Sequence, residues 1–209
     1  MSRALVIDGL RSTIGGAIAK AAIERGDCVM DHTDKDRVVV ELAYERAAAP
    51  ATLVCCRGTF DGDLAQLVEV NLIDAMRKTE SALSSGFQRV ILFSGGGVGG
   101  VPSRDAPPAY QAAKAGLCVF AERMALDNPQ AAIHVISPGR VASRLTNWDG
   151  GSPDRTVALV MWLTEELRLH LSGRMISARF ESPETIMELD RNMNGVWNDD
   201  MMRLRTVLP

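Results

Sequence analysis

The stretch Ala4-Leu5-Val6-Ile7-Asp8-Gly9-Leu10-Arg11-Ser12-Thr13-Ile14-Gly15 decides the fold. Ala4 to Asp8 is a short apolar run stopped by Asp-Gly, the pattern of a buried strand, and apolar residues return at helical spacing from Ile14 to Arg25. A strand that turns into a helix through glycine brings backbone N–H groups and the positive helix end to one point, where a pyrophosphate can bind. Two glycines at such a junction also suit an ordinary strand-to-helix turn, so the rest of the chain has to decide.

Outward from that turn, short apolar runs alternate with helical segments. Asp27 to Asp31 is expected as a second strand, followed by a polar break at His32 to Asp36 and a helix over about Arg37 to Ala48 that Pro50 stops. Further strands are expected at Ala51 to Cys56, Arg89 to Ser94, Ala131 to Ser137 and Arg174 to Ala178. The intervening helices fall at Asp63 to Ser84, Ala109 to Leu126 and Asp154 to Leu171. This alternation predicts an α/β fold, a doubly wound parallel sheet with helices on both faces and ligands at the carboxyl ends of its strands. Residues 1–209 are expected to form one domain, with 140–153 as a substrate loop and 181–209 as a C-terminal extension holding two short helices.

Composition removes several function classes. The net charge is −3 and the basic residues are scattered, which argues against a nucleic-acid surface, and an aromatic share of 5% is too thin for base stacking. No apolar run approaches the roughly 18 residues that span a bilayer, and the first residues lack the pattern of a signal peptide. A cytoplasmic protein without a membrane partner is expected. Cys28, Cys55, Cys56 and Cys118, like His32, His134 and His170, show no metal-ligand spacing, so no metal is expected and the cysteines read as buried small apolar residues.

Tyr110-Gln111-Ala112-Ala113-Lys114 opens the helix that follows a glycine-rich loop, and the i, i+4 spacing sets phenol and ammonium on one helical face. A cation beside a phenol lowers the phenol pKa, making it a proton donor or acceptor near neutral pH. In chain order stand the glycine turn, Leu53-Val54-Cys55-Cys56-Arg57-Gly58, Val70-Asn71-Leu72, Val90-Ile91-Leu92-Phe93-Ser94-Gly95, Tyr110 with Lys114, and Ile136-Ser137-Pro138-Gly139-Arg140-Val141. Together these resemble the short-chain dehydrogenase/reductase family over nearly the whole chain. The specific parts are Tyr110 to Lys114 with Ala115-Gly116-Leu117, and the later Ser-Pro-Gly-x-Val block. Ser172 to Ala178 is similar to the family's last-strand signature.

The resemblance implies a Rossmann-type fold, a nicotinamide cofactor (NAD or NADP), and hydride transfer to or from a carbonyl or alcohol carbon of a small-molecule substrate. Tyr110 would be the general acid or base, and Lys114 would bind the nicotinamide ribose and depress the Tyr110 pKa. Asn71 would hold the relay water, and Ser94 would orient the substrate oxygen. The cofactor would lie along Gly9, Arg11, Ser12, Thr13, Ile14, Gly15, Asp31, Gly58, Lys114, Pro138, Gly139, Val141 and Ser143. Family likeness also implies a dimer or tetramer through the helices after Gly62 and Ala109.

The chain departs from the family pattern mainly on the adenosine side. Thr13 takes the middle glycine's place, Asp8 that of a threonine, and Cys55-Cys56-Arg57-Gly58 stands where the family reads Asn-Asn-Ala-Gly, leaving Arg57 to reach a phosphate. Gly95 occupies the usual serine column, with Ser94 one residue earlier. The interval from Gly15 to Arg57 is short by a strand and a helix. Asp31 points to NAD and Arg11 to NADP, so the choice stays open. So does a second function: a binding protein or a non-redox acid-base enzyme, such as a dehydratase or isomerase, on the same fold.

Overall fold

Strand β1 (Ala4–Asp8) is buried along its whole length, as a strand covered on both faces of a parallel sheet must be. It pairs with β2 (Cys28–Asp31) on one side and β3 (Thr52–Cys55) on the other, and β4 (Arg89–Phe93), β5 (Ala132–Ser137) and β6 (Met175–Ser177) continue the sheet. The strand order is β2-β1-β3-β4-β5-β6, parallel throughout. The structure, a computed structural model, describes residues 3–32, 51–95, 98 and 103–192.

Side chains alternate across the sheet and separate two core layers. Val6, Leu53, Val90 and Ile133 pack with Ala75 and Ala82 of α3 (Asp74–Ser84) and with Leu117 and Ala121 of α4 (Pro108–Asp127). Leu5, Ile7, Val54 and Ile91 pack on the other face with Ile18 and Ala22 of α1 (Thr13–Glu24) and with Leu159 and Leu163 of α5 (Asp154–Leu163). The doubly wound architecture is therefore as the alternation predicts. From β1 the chain adds β2 on one side and then crosses to add β3 on the other, and this switch in strand order between β1 and β3 sets the cleft at the carboxyl ends of the strands.

Among the described residues no strand lies outside β2, which stands at the edge of the six-stranded sheet. The helix expected over 37–48 and the second short helix of the C-terminal extension fall outside the described residues; the first is α6 (Pro183–Asn192). Two helices differ from expectation. The one expected over 154–171 ends at Leu163, because Arg25 reaches its last turn and donates to the Met161 carbonyl at 3.0 Å and to Thr164 Oγ1 at 2.8 Å. Only a 3₁₀ turn, Leu169–Leu171, follows. The helix from Asp63 starts at a capping box, runs through α2 (Leu64–Val68), widens to a π turn at Glu69–Ile73, and resumes as α3. A π turn within an α-helix is common at functional sites, and this one is centred on Asn71.

Candidate active site

A cleft of about 1070 Å³ opens above β1, β3, β4 and β5, a size at the upper end of the ~300–1,000 Å³ of small-molecule sites. Arg11, Ser12, Thr13 and Ile14 line one end and Tyr110, Lys114 and Ser94 the other. Gly9 has φ +88°, and a Cβ there would stand 2.9 Å from the Arg57 amide nitrogen. A Cβ on Gly15 would meet the Gly9 carbonyl oxygen at 2.2 Å, so both glycines are required by close backbone approach. Ser12 caps α1 by accepting from the Gly15 amide at 3.0 Å.

The first turn of α1 carries no acidic residue, so its positive end faces the cleft unopposed. Asp8, expected as an anion near the cofactor, is directed elsewhere: its carboxylate accepts from Lys78 Nζ at 2.9 Å, both groups being buried beneath the turn. The turn thus fits a phosphate group, with the Thr13 side chain at the cleft wall in place of a glycine. Arg11 is exposed at this wall, whereas Asp31, at the end of β2, does not line it.

The end of β3 runs under the cleft. Cys56 Sγ donates to the Asp8 carbonyl at 3.2 Å, and burial pushes its thiol up to about 12, which makes it a packing group rather than a nucleophile. Cys55 and Cys118 are buried free thiols as well, while Cys28 is exposed, unlike the expected buried cysteine, because β2 is the edge strand. The Arg57 guanidinium lines the cleft 3.7 Å from Asp74 Oδ2. At Gly58 a Cβ would lie 3.2 Å from Asn71 Oδ1 and 3.8 Å from Lys114 Nζ, so the chain here passes against both side chains.

Asn71 is fully buried and its amide is spent on backbone. Oδ1 accepts from the Thr59 amide at 3.0 Å, and Nδ2 donates to the carbonyls of Thr59 and Leu67, both at 2.9 Å. Its side chain fixes the loop after β3, in contrast to the water-holding role the resemblance implies for this position.

Lys114 is 3% exposed and donates to the Arg57 carbonyl at 3.2 Å. Burial lowers its pKa to about 8. Its Nζ lies 5.8 Å from the centroid of the Tyr110 ring, and Tyr110 itself is buried. The expected depression of the phenol pKa is not found: burial, with no opposing contribution from the Lys114 ammonium, pushes Tyr110 up to about 12.

Ser94, at the end of β4, donates to Met175 Sδ at 3.7 Å. The next residue, Gly95, is the one that faces the phenol. Pro138, Gly139, Val141 and Ser143 line the cleft opposite α4, with Gly139 at φ +73°. The loop beyond them folds back by reciprocal backbone bonds, Ala142 to the Gly151 carbonyl at 3.0 Å and Gly151 to the Arg140 carbonyl at 2.9 Å. Asn147 and Trp148 both take left-handed backbone there, and Trp148 stands 70% exposed at the cleft mouth.

Sequence reasoning missed the lining contributed by Thr59, Phe60 and Asp61 after β3 and by Asp105 and Ala106 before α4, and Phe60 matters most. Phe60, in the loop after Gly58, meets the Tyr110 ring edge-on, with centroids 4.6 Å apart and an interplanar angle of 79°. The available signal was an aromatic residue set in a polar loop between a strand and a helix.

No family model and no curated protein sequence matches the chain. Solved structures do. An oxidoreductase of the short-chain dehydrogenase/reductase family from Burkholderia thailandensis is similar with a TM-score of 0.68 at 19% identity, over 91% of this chain and 98% of its own. BdcA, solved in complex with NADPH, is similar with a TM-score of 0.65 at 19% identity, over 86% of this chain and 95% of its own. An oxidoreductase from Brucella ovis, of the same family and in complex with a partially ordered NAD, gives a TM-score of 0.68 at 16% identity, over 85% of this chain and 99% of its own. The likeness is one of fold: the parallel sheet and its helices match Rossmann-type short-chain dehydrogenase/reductase structures.

Proposed function

We propose that this chain is a shortened member of the short-chain dehydrogenase/reductase family, an NAD(P)(H)-dependent oxidoreductase acting on the carbonyl or alcohol group of a small molecule. The observation that carries the reading is the meeting of Tyr110, Lys114 and the Arg11-to-Ile14 turn at the start of α1 in one cleft. The fold shared with enzymes solved with NADPH and NAD supports it. Arg11, Ser12, Thr13 and Ile14 would hold the pyrophosphate at the positive end of α1, and Lys114, Pro138, Gly139, Val141 and Ser143 the nicotinamide half. When bound, the nicotinamide supplies or accepts the hydride.

The chain's own contribution is to place a proton donor and to exclude water. Tyr110 Oη would give its proton to the developing alkoxide during reduction and take it back during oxidation. Its raised pKa keeps it protonated at neutral pH, which suits the acid role. Lys114 is the nearest cation and is anchored by the Arg57 carbonyl, poised to strengthen that donation once its ammonium meets a ribose hydroxyl. Because the Asn71 side chain is committed to Thr59 and Leu67, a relay water at this position would rest on its main-chain carbonyl within the π turn. Ser94 would need to leave Met175 to reach the substrate oxygen.

Titration with NADH and NADPH, followed by nicotinamide fluorescence and thermal shift, tests this reading. Binding of either cofactor supports it. No shift with either at millimolar cofactor sinks it and leaves the non-redox or binding function on the same fold, the alternative that Thr13 and the edge position of β2 favour. No helix among the described residues is long and apolar enough to cross a membrane, and we place the enzyme in the cytoplasm. We also assign it a homo-oligomeric state, with exposed Leu64 on α2 and exposed Val119 and Leu126 on α4 as the contact face; a monomer in sedimentation would remove that assignment.

A further inference from the structure

The phenol of Tyr110 lies in a slot with two walls. One is the backbone at Gly95, where a Cβ would stand 2.6 Å from Tyr110 Cε1 and 2.9 Å from its hydroxyl oxygen. The other is the ring of Phe60, edge-on at 4.6 Å. Neither of the polar groups beside the slot enters it, since Ser94 is turned to Met175 Sδ and Lys114 to the Arg57 carbonyl.

We infer that Gly95 and Phe60 are positioning residues for Tyr110: the absent side chain at 95 lets the phenol settle where a second hydroxyl donor would stand, and Phe60 closes it from water. One hydroxyl then serves the reacting oxygen, as acid and as the group that orients it. A serine at 95 would not add a donor to this site; its Cβ lies within the ring's own contact distance and would push the phenol out. The elevated pKa of the phenol agrees with such enclosure, its cause being burial alone. The charged groups lining the cleft are Lys114 of the same helix, Arg11 of the glycine turn, Arg57, which stands 3.7 Å from Asp74, Asp61 and Arg144, 4.0 Å apart, and Asp105 and Arg140, which pair with each other at 2.9 Å.

The inference rests on Tyr110 being the proton donor of the proposed reaction, but its test does not need turnover. Tetranitromethane nitrates phenolate, and peptide mass spectrometry reads Tyr110 separately from Tyr44, the other tyrosine. At fixed pH 8, Phe60→Ala should raise nitration at Tyr110 by about tenfold, the gain in phenolate for one unit of pKa, while Phe60→Leu, which keeps the apolar cover, should stay within about threefold of the wild type. Gly95→Ala should raise it as well by displacing the ring. In turnover, Gly95→Ser should lower kcat with cofactor affinity unchanged, and the Phe60→Ala pH–rate profile should move to lower pH while that of Phe60→Leu stays in place. Equal nitration of wild type, Phe60→Ala and Gly95→Ala, each folded by circular dichroism, overturns the slot, as does a rise in kcat for Gly95→Ser. Increased nitration without binding of either nicotinamide cofactor would instead sustain the slot and defeat the oxidoreductase reading.

Discussion

At the β3–β4 end of the cleft, Asn71, Tyr110 and Lys114 are buried, and Asn71 and Lys114 are tied to main-chain carbonyls of the loop after β3. At the β1–β2 end, Cys28 is exposed, Val29 to Asp31 are half-buried, Arg11 is open to solvent, and no further strand flanks β2 among the described residues. Placement of a proton donor has to hold within a fraction of an ångström to be effective, so its supports are dense. Anchoring a cofactor's far half contributes affinity, and losing part of that wall weakens binding without moving the phenol. The contrast teaches that the chain concentrates order where proton transfer would occur.

The largest effect is expected at the ordered end. Tyr110→Phe should reduce carbonyl reduction by roughly 10²–10⁴-fold, the usual contribution of a positioned general acid, with cofactor affinity nearly unchanged in fluorescence titration. Retained turnover would break the comparison, since the dense end would then have no catalytic meaning. Beneath the glycine turn, Asp8→Ala should destabilise the protein by roughly 1–3 kcal/mol in urea denaturation by removing the carboxylate that accepts from the buried Lys78 ammonium. An unchanged midpoint would show that the open end needs no floor.

Lys114 sharpens the comparison through pH. Its pKa falls from 10.5 to about 8, so between those values the unfolded chain holds a proton that the folded chain has released, and stability rises with pH across that window. Below about 8 the folded state carries a buried ammonium in full, a penalty of about 3 kcal/mol. Lys114→Met should therefore be more stable than the wild type at pH 7 by up to that amount, the gain fading toward pH 10.5, while turnover is lost. Urea denaturation at pH 7 and pH 9.5 checks both the sign and the fading. The smallest effect belongs to the open end: Thr13→Gly should tighten cofactor binding by about three- to tenfold, roughly 1 kcal/mol, by letting phosphate approach the backbone. Weaker binding would show that the threonine hydroxyl is itself a phosphate donor.

Much of the fold could be read from local pattern. β1, β3, β4 and β5 are apolar runs buried on both faces, and their limits fall within about a residue or two of the apolar stretches. Tyr110 and Lys114 were legible because both sit on one helix at fixed spacing, and Gly9 and Gly15 because a tight turn admits little else. What local pattern could not carry depends on groups far apart in the chain. Arg25 ends α5 from the end of α1, Lys78 of α3 meets Asp8 at the end of β1, and Phe60 reaches Tyr110 from a loop. The direction of the Tyr110 pKa belongs with these, because it follows from burial, which the spacing of Tyr110 and Lys114 does not encode.

Arg140 has a consequence for how the cleft is entered. Its guanidinium bonds Asp105, in the loop before α4, at 2.9 Å and Asp149, later in its own loop, at 2.8 Å. All three side chains are solvent-exposed, so water and mobile ions compete for each contact and the latch is weak. At physiological salt the screening length of about 8 Å weakens the attraction soon after the first separation, and an opened loop feels little pull to return. Rising salt therefore loosens this tie between the two loops while leaving the buried pair of Asp8 and Lys78 nearly untouched.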